Sequence, residues 1–115
     1  MSRPRIRAEL EARASVFAAL GDETRLLLVG KLSNGLPQSI SRLAEGSALT
    51  RQAIAKHLRV LERAGLVRGM RAGRESRFAF TPEPFKEAQS YLERVSSQWD
   101  DVLARLKFFV EDEES

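Results

Sequence analysis

From Phe85 to Phe109 the apolar residues Phe85, Ala88, Leu92, Val95, Trp99, Val102, Leu106 and Phe109 follow one another at steps of three and four without interruption. That spacing predicts a single helix over about 82–111, opened by Thr81-Pro82 and carrying a heptad seam along its length. At about 1.5 Å per residue the seam is on the order of 36 Å long. Tyr91, Leu103, Phe108 and Val110 widen it beyond a strict two-position stripe. A chain of 115 residues cannot cover so long a rod with its own core. The candidate partner inside the chain is a helix predicted over about 5–20, with Ile6, Leu10, Ala14, Phe17 and Leu20 at helix-compatible steps after Pro4. It reaches only about half as far. A second copy is the expected cover, and twofold pairing is the commonest closed arrangement. Leu10, Phe17 and the eight seam residues form the expected dimerisation surface, with Trp99 at its centre as an anchor rather than the lining of an effector pocket.

Between the outer helices lies TRQAIAKHLRVLERA, residues 50–64. Thr50 is a good N-cap, because its hydroxyl can accept a bond from an amide left unpaired at a helix start. Gly65 supplies the left-handed residue that ends a helix. Ile54, Leu58 and Leu61 gather on one face, while Gln52, Lys56, Arg59 and Arg63 form a stripe on the other. Taken alone, that stripe is equally well a solvated surface.

Its neighbours decide the matter. Upstream, SISRLAE (39–45) reads as a short helix capped by Ser39, and Gly46-Ser47-Ala48-Leu49 is about the length of turn that joins the two helices of a helix-turn-helix. Downstream, 66–71 and 75–80 flank Ala72-Gly73-Arg74, a hairpin signal in which Gly73 is free to take positive φ. A hairpin directly after such a helix is a wing. From Thr50 to Arg77 eight Arg and Lys stand against Glu62 and Glu75, plus six in one motif of a chain that carries plus three overall.

Ahead of this motif, Gly21 breaks the first helix and Asp22 caps a second. In that helix Leu26, Leu27, Val29 and Leu32 are expected to be buried and Arg25 to pair inside the scaffold. Asn34-Gly35 and Pro37 end it. The expected architecture is mainly α with a small β-hairpin. It is a single winged helix-turn-helix domain over 1–115, with the helix-turn-helix at about 39–64, the wing at about 66–80 and long terminal helices for dimerisation.

Charge is split along the chain: residues 1–77 hold fifteen Arg/Lys and seven Asp/Glu, residues 78–115 four and nine. A basic body with an acidic arm points to a polyanion meeting the body. The closing Glu111-Asp112-Glu113-Glu114-Ser115 reads as a frayed tail without assigned function. No stretch approaches the length needed to span a bilayer. The basic N-terminus lacks the apolar core of a secretion signal, so the expected compartment is the cytoplasm. There is no cysteine, which removes disulfides, thiol redox sensing and thiolate metal ligation together. With one histidine, no cysteine nucleophile, no glycine-rich phosphate loop and no recognisable carboxylate pair, an enzyme is not expected. No cofactor is expected either.

The run LTRQAIAKHLRVLERAGLVRGMRAGRESRFAFTP resembles the winged helix-turn-helix of the ArsR/SmtB family of bacterial transcriptional repressors, and FAALGDETRLLLVGKL resembles that family's second-helix signature. Together they span Phe17 to Pro82. The resemblance implies a homodimer joined through its first and last helices, and it implies repression of transcription. In the family's metal sensors two cysteines separated by one residue open the helix before the recognition helix. Ser39 and Ser41 stand there in this chain. Other relatives bind zinc on the last helix with His and carboxylates, and here that helix has no histidine. No metal response through either site is expected, and the effector is left open.

Placed in a major groove of double-stranded DNA, the capped helix presents Thr50, Arg51 and Gln52 at its start. Arg51 suits the two acceptors of guanine and Gln52 the donor-acceptor pair of adenine. Lys56 reaches a base or a phosphate. Ala55 is small enough for a thymine methyl, although packing explains it equally well. Arg59, Arg63 and Arg68 are expected on phosphates, which position without specifying. Arg71, Arg74 and Arg77 belong to the wing. His57 lies toward the edge of the buried face, where it packs or bonds phosphate. The alternative function is a protein-interaction module that uses the C-terminal arm and whose DNA-binding surface is vestigial.

Overall fold

The computed structural model describes residues 3–114 and runs α1 (Arg3–Leu20), α2 (Glu23–Leu32), β1 (Gln38–Ser39), α3 (Ile40–Ala44), α4 (Arg51–Arg63), β2 (Val67–Ala72), β3 (Glu75–Phe80) and α5 (Pro82–Glu114). Side-chain caps set three of the helix starts. Asp22 Oδ2, Ser39 Oγ and Thr50 Oγ1 each accept the backbone N–H three residues on, all at 3.1 Å. Each cap thereby satisfies an amide that a helix start leaves without an intrahelical partner.

One face of α4 supplies the centre of the core. Ile54, Leu58 and Leu61 are fully buried against Leu28 and Leu32 of α2, Leu43 of α3, Val16 and Ala19 of α1, and Leu66 and Val67 at the entry to the wing. Each such side chain contributes roughly 1.5–3 kcal/mol by leaving water. The small helices therefore hold their places by what they bury against α4.

Two expectations about the scaffold are corrected. In α2 the buried set is Leu28, Val29 and Leu32, whereas Leu26 and Leu27 are 56% exposed. Residues 28, 29 and 32 share a helical face, and four successive apolar residues hide which of them lie on it. The wing is not a lone hairpin: β1 adds a third strand in the order β1-β3-β2, with Gln38 opposite Phe78 and Ser39 opposite Arg77. Two residues are too short to show any alternation in sequence. β2 and β3 pair from Val67–Phe80 to Ala72–Glu75, leaving Gly73 and Arg74 as the turn. Of these two turn residues Gly73 has positive φ (67°) and Arg74 does not, as a two-residue turn with glycine first requires.

The last helix is longer than predicted, continuing through Glu114, so the acidic segment is helical there rather than frayed. Ser115 lies outside the described residues. Arg13 pairs with Glu87 at 3.1 Å, and Phe17 meets Tyr91 with ring centroids 6.3 Å apart. Both partners advance by four residues, so α1 and α5 run parallel. Their crossing takes three of the expected dimerisation residues into the chain's own packing. Ala88 is buried, Phe85 sets its ring edge against Phe80, and Phe17 lies against the core. Beyond Tyr91 Val95 and Val102 are half-buried, whereas Leu92, Leu103, Leu106, Phe108, Phe109 and Val110 are exposed and Trp99 is 61% exposed.

Candidate nucleic-acid interface

The start of α4 is positioned from behind by α2. Lys31 Nζ donates to the carbonyls of Leu43 and Glu45 at 3.0 and 3.4 Å, which occupies acceptors that the end of α3 leaves open. Gln38 Nε2 donates to Lys31 O at 2.7 Å and ties β1 to the same helix. With Leu43 fully buried beneath them, α3 and the turn after it have one position relative to α4.

The recognition helix is braced a second time at its middle. Arg25 Nε donates to Ala19 O at 2.6 Å, and its Nη1 stands 3.1 Å from His57 Nδ1. A guanidinium only donates, so Nδ1 is the acceptor in this contact. Asp22 Oδ2 lies 3.7 Å from the same nitrogen. The backbone N–H of Arg25 holds the Asp22 carboxyl below the usual carboxylate range, partly opposed by burial and assisted by the Arg25 charge. His57 is thus turned inward, onto the junction of α1 and α2. Arg25 takes the pairing role that its position in the scaffold predicts.

A third brace joins helix to wing. Glu62 Oε2 accepts the backbone N–H of Gly69 at 2.9 Å. Sequence reasoning missed this contact, since a lone glutamate in a basic motif reads only as a charge offset.

What remains outward on α4 is the predicted row. Arg51, Gln52, Lys56, Arg59 and Arg63 are all exposed. An open cleft of about 580 Å³ lies between the start of α4 and the wing tip, and it brings together Arg51, Gln52, half-buried Ala55 and Arg74. Arg51 Nη2 donates to Ser41 Oγ across the helix-turn-helix. Thr50 is committed to its cap. Arg68 is exposed on β2, and Arg71 borders a separate shallow groove beside Glu62. Arg77 lies on the far side of β3, next to Arg42, with its Nε 3.0 Å from Glu75 Oε2. The wing cations therefore do not lie in one cluster: Arg74 borders the cleft at the start of α4, and Arg71 and Arg77 border other grooves. Among the described residues no group of three or more His, Cys, Asp and Glu gathers as metal ligands would. No helix there is long and apolar enough to cross a membrane.

A capped helix with its inner face buried and its outer face cationic, preceded by a short helix and followed by a sheet, defines a winged helix-turn-helix DNA-binding domain. Comparison with known proteins agrees. Residues 8–69 match the family described as a helix-turn-helix domain. The chain is 42% identical over 78 residues to the HTH-type transcriptional regulator YuzN of Bacillus subtilis (strain 168), covering 63% of this chain and 85% of that protein. It is 43% identical over 61 residues to the HTH-type transcriptional regulator NmtR of Mycobacterium tuberculosis, covering 53% and 50% respectively. Among solved structures, an ArsR-like transcriptional regulator from Rhodococcus sp. RHA1 superposes with a TM-score of 0.75 at 41% identity, covering 87% of this chain and 93% of that one. The chain belongs to the ArsR family of winged helix-turn-helix transcriptional regulators.

Proposed function

We infer that this regulator is a cytoplasmic, non-enzymatic repressor whose 115 residues act as one domain, and that two copies bind a palindromic operator. One recognition helix enters the major groove at each half-site, with half-sites about one helical turn apart or a multiple of it. Arg51 and Gln52 read base edges, and Ala55 lies against them in the same cleft. Lys56, Arg59, Arg63 and Arg68 hold phosphates, Arg74 follows the backbone or the adjacent minor groove, and Arg71 and Arg77 contribute charge at longer range. His57 acts from behind, by fixing the helix that carries the others.

The observation that carries this reading is the division of α4 into a face with Ile54, Leu58 and Leu61 buried and an outer face with Gln52, Lys56, Arg59 and Arg63 exposed, with Arg51 and Gln52 sharing one cleft with Arg74 of the wing. Pairing is supported by the apolar surface of α5 that none of the other described residues covers. Repression is carried over from the family resemblance.

Footprinting on the DNA upstream of the protein's own gene tests the reading. A protected, twofold-symmetric site is expected, with affinity falling steeply as salt rises, because each neutralised phosphate releases counterions. An unprotected fragment at low salt, or protection without symmetry, would contradict it.

A further inference from the structure

Arg51 opens α4 with its side chain exposed. Among the described residues the group that holds its guanidinium is the hydroxyl of Ser41, ten residues earlier, to which Nη2 donates. Glu75 is the carboxylate among the described residues that line the same cleft, and its Oε2 is taken by Arg77 Nε at 3.0 Å. The cation at the start of the recognition helix therefore rests on a neutral acceptor. That acceptor stands on a fixed support. Ser41 lies in α3, whose Leu43 is fully buried and has its carbonyl bound by Lys31 Nζ at 3.0 Å. Ser39, two residues before it, is committed to capping α3, with Oγ 3.1 Å from the amide of Arg42. Ser41 caps no helix and is exposed, outside the apolar core.

We propose that Ser41 is a positioning residue for base recognition: its hydroxyl holds the Arg51 guanidinium in the orientation in which the remaining N–H groups meet a guanine. The proposal rests on the base-reading role given to Arg51 above and adds the group that orients it. A hydroxyl suits this task better than a carboxylate. A carboxylate would engage the guanidinium through two bonds, neutralise it and compete with the O6 and N7 acceptors of guanine. A hydroxyl takes one N–H and leaves the charge and the other donors for the base. An arginine already held also loses less rotamer freedom on docking than a free one, a saving of about three- to tenfold in affinity for one long side chain. Because Ser41 acts on the arginine and not on the duplex, its influence is confined to the base pair that Arg51 reads.

Binding is measured on a duplex that the unaltered chain selects from a random-sequence pool, and on the same duplex with each base pair changed in turn. Ser41→Ala, at an exposed position, is expected to bind the selected duplex about three- to tenfold more weakly than the unaltered chain. Its discrimination should fall at one G·C pair, the pair at which Arg51→Ala also loses it, and should stay the same at every other position. Ser41→Thr keeps the hydroxyl and is expected to restore both affinity and preference. The double variant should bind no more weakly than Arg51→Ala alone, since the interaction is already gone. Unaltered preference in Ser41→Ala, a loss spread over all base pairs, or a loss that adds in full to that of Arg51→Ala would overturn the proposal and leave Arg51 as the base reader. A chain that selects no sequence, or Arg51→Ala with unaltered preference, would remove the base-reading role and the proposal with it.

Discussion

Nη1 of Arg25 lies 3.1 Å from Nδ1 of His57, joining a side chain of α2 to the middle of the recognition helix. A double-mutant cycle measures the bond. Arg25→Ala and His57→Ala are each expected to cost about 1–3 kcal/mol, because each leaves a partly buried polar group without its partner. The double variant should be less destabilised than their sum by at least about 0.5 kcal/mol in urea unfolding. Strict additivity would mean that the two side chains do not interact.

The Asp22 cap adds a pH dependence whose sign follows from its depressed pKa. The folded chain favours the carboxylate, so the contribution is fully present above the ordinary aspartate value of 3.8 and is lost as pH falls through the lower folded value. Asp22→Asn keeps a side-chain acceptor and removes the charge. The unaltered chain should be the more stable of the two at neutral pH, and the two should converge in acid. A difference that grew on acidification would reverse the assignment.

Glu62 and Gly69 join the recognition helix to the wing. A Cβ at Gly69 would stand 3.1 Å from Glu62 Oε2 and 3.3 Å from Phe78 Cε1, so Gly69→Ala pushes the carboxylate away from the amide it accepts. A loss of about 1 kcal/mol is expected, the worth of a hydrogen bond to a charged group with some relaxation. Amide exchange at residue 69 should accelerate in Glu62→Ala. Unchanged protection there would show that the wing is held by its sheet alone.

Leu58→Ala should cost roughly 2–5 kcal/mol, since the side chain is fully buried at the junction of three helices. Leu27→Ala should cost less than about 0.5 kcal/mol in a single chain, because more than half of that side chain already faces water. Thermal unfolding of dilute protein separates the two, and equal losses would place Leu27 in the core after all.

On DNA, Arg51→Ala or Gln52→Ala should relax sequence preference, with roughly 1–3 kcal/mol of discrimination lost at the base pair concerned. Arg74→Ala should weaken all sites alike and lower the salt slope by about one. Binding to a panel of single-base operator variants distinguishes the effects. Unaltered binding by all three variants would show that other residues carry the contacts.

The sequence made the outer framework legible because its signals are local. Thr50 and Gly65 bracket α4, Gly73 marks the wing turn, and the seam from Phe85 to Phe109 announces α5. Where the sequence failed, the missing information was spatial. Nothing in Gln38-Ser39 announces a strand, because its pairing partner lies about forty residues later. Leu26, Leu27 and Leu28 are chemically identical, and only the phase of α2 against α4 selects the one that is buried. For the candidate site, the exposed row of α4 followed from helical periodicity. The separation of Arg74 from Arg71 and Arg77 depended on the hairpin register, which puts Arg74 in the turn and Arg71 and Arg77 on opposite faces of the sheet and which was fixed only once the pairing was known.

The junction after α4 has a mechanical consequence. Leu66 O accepts the N–H of Thr81 at 2.8 Å, and Gly65, at φ 78°, leaves room for Pro84 where a Cβ would come within 3.4 Å of its ring. The exit of the groove-facing helix and the root of the long rod are thus one joint rather than two ends of a flexible connector. On the proposed dimer, bulk added at residue 65, as in Gly65→Ala, is therefore expected to alter which operator spacings fit, measured by binding to operators with half-sites moved apart by one or two base pairs.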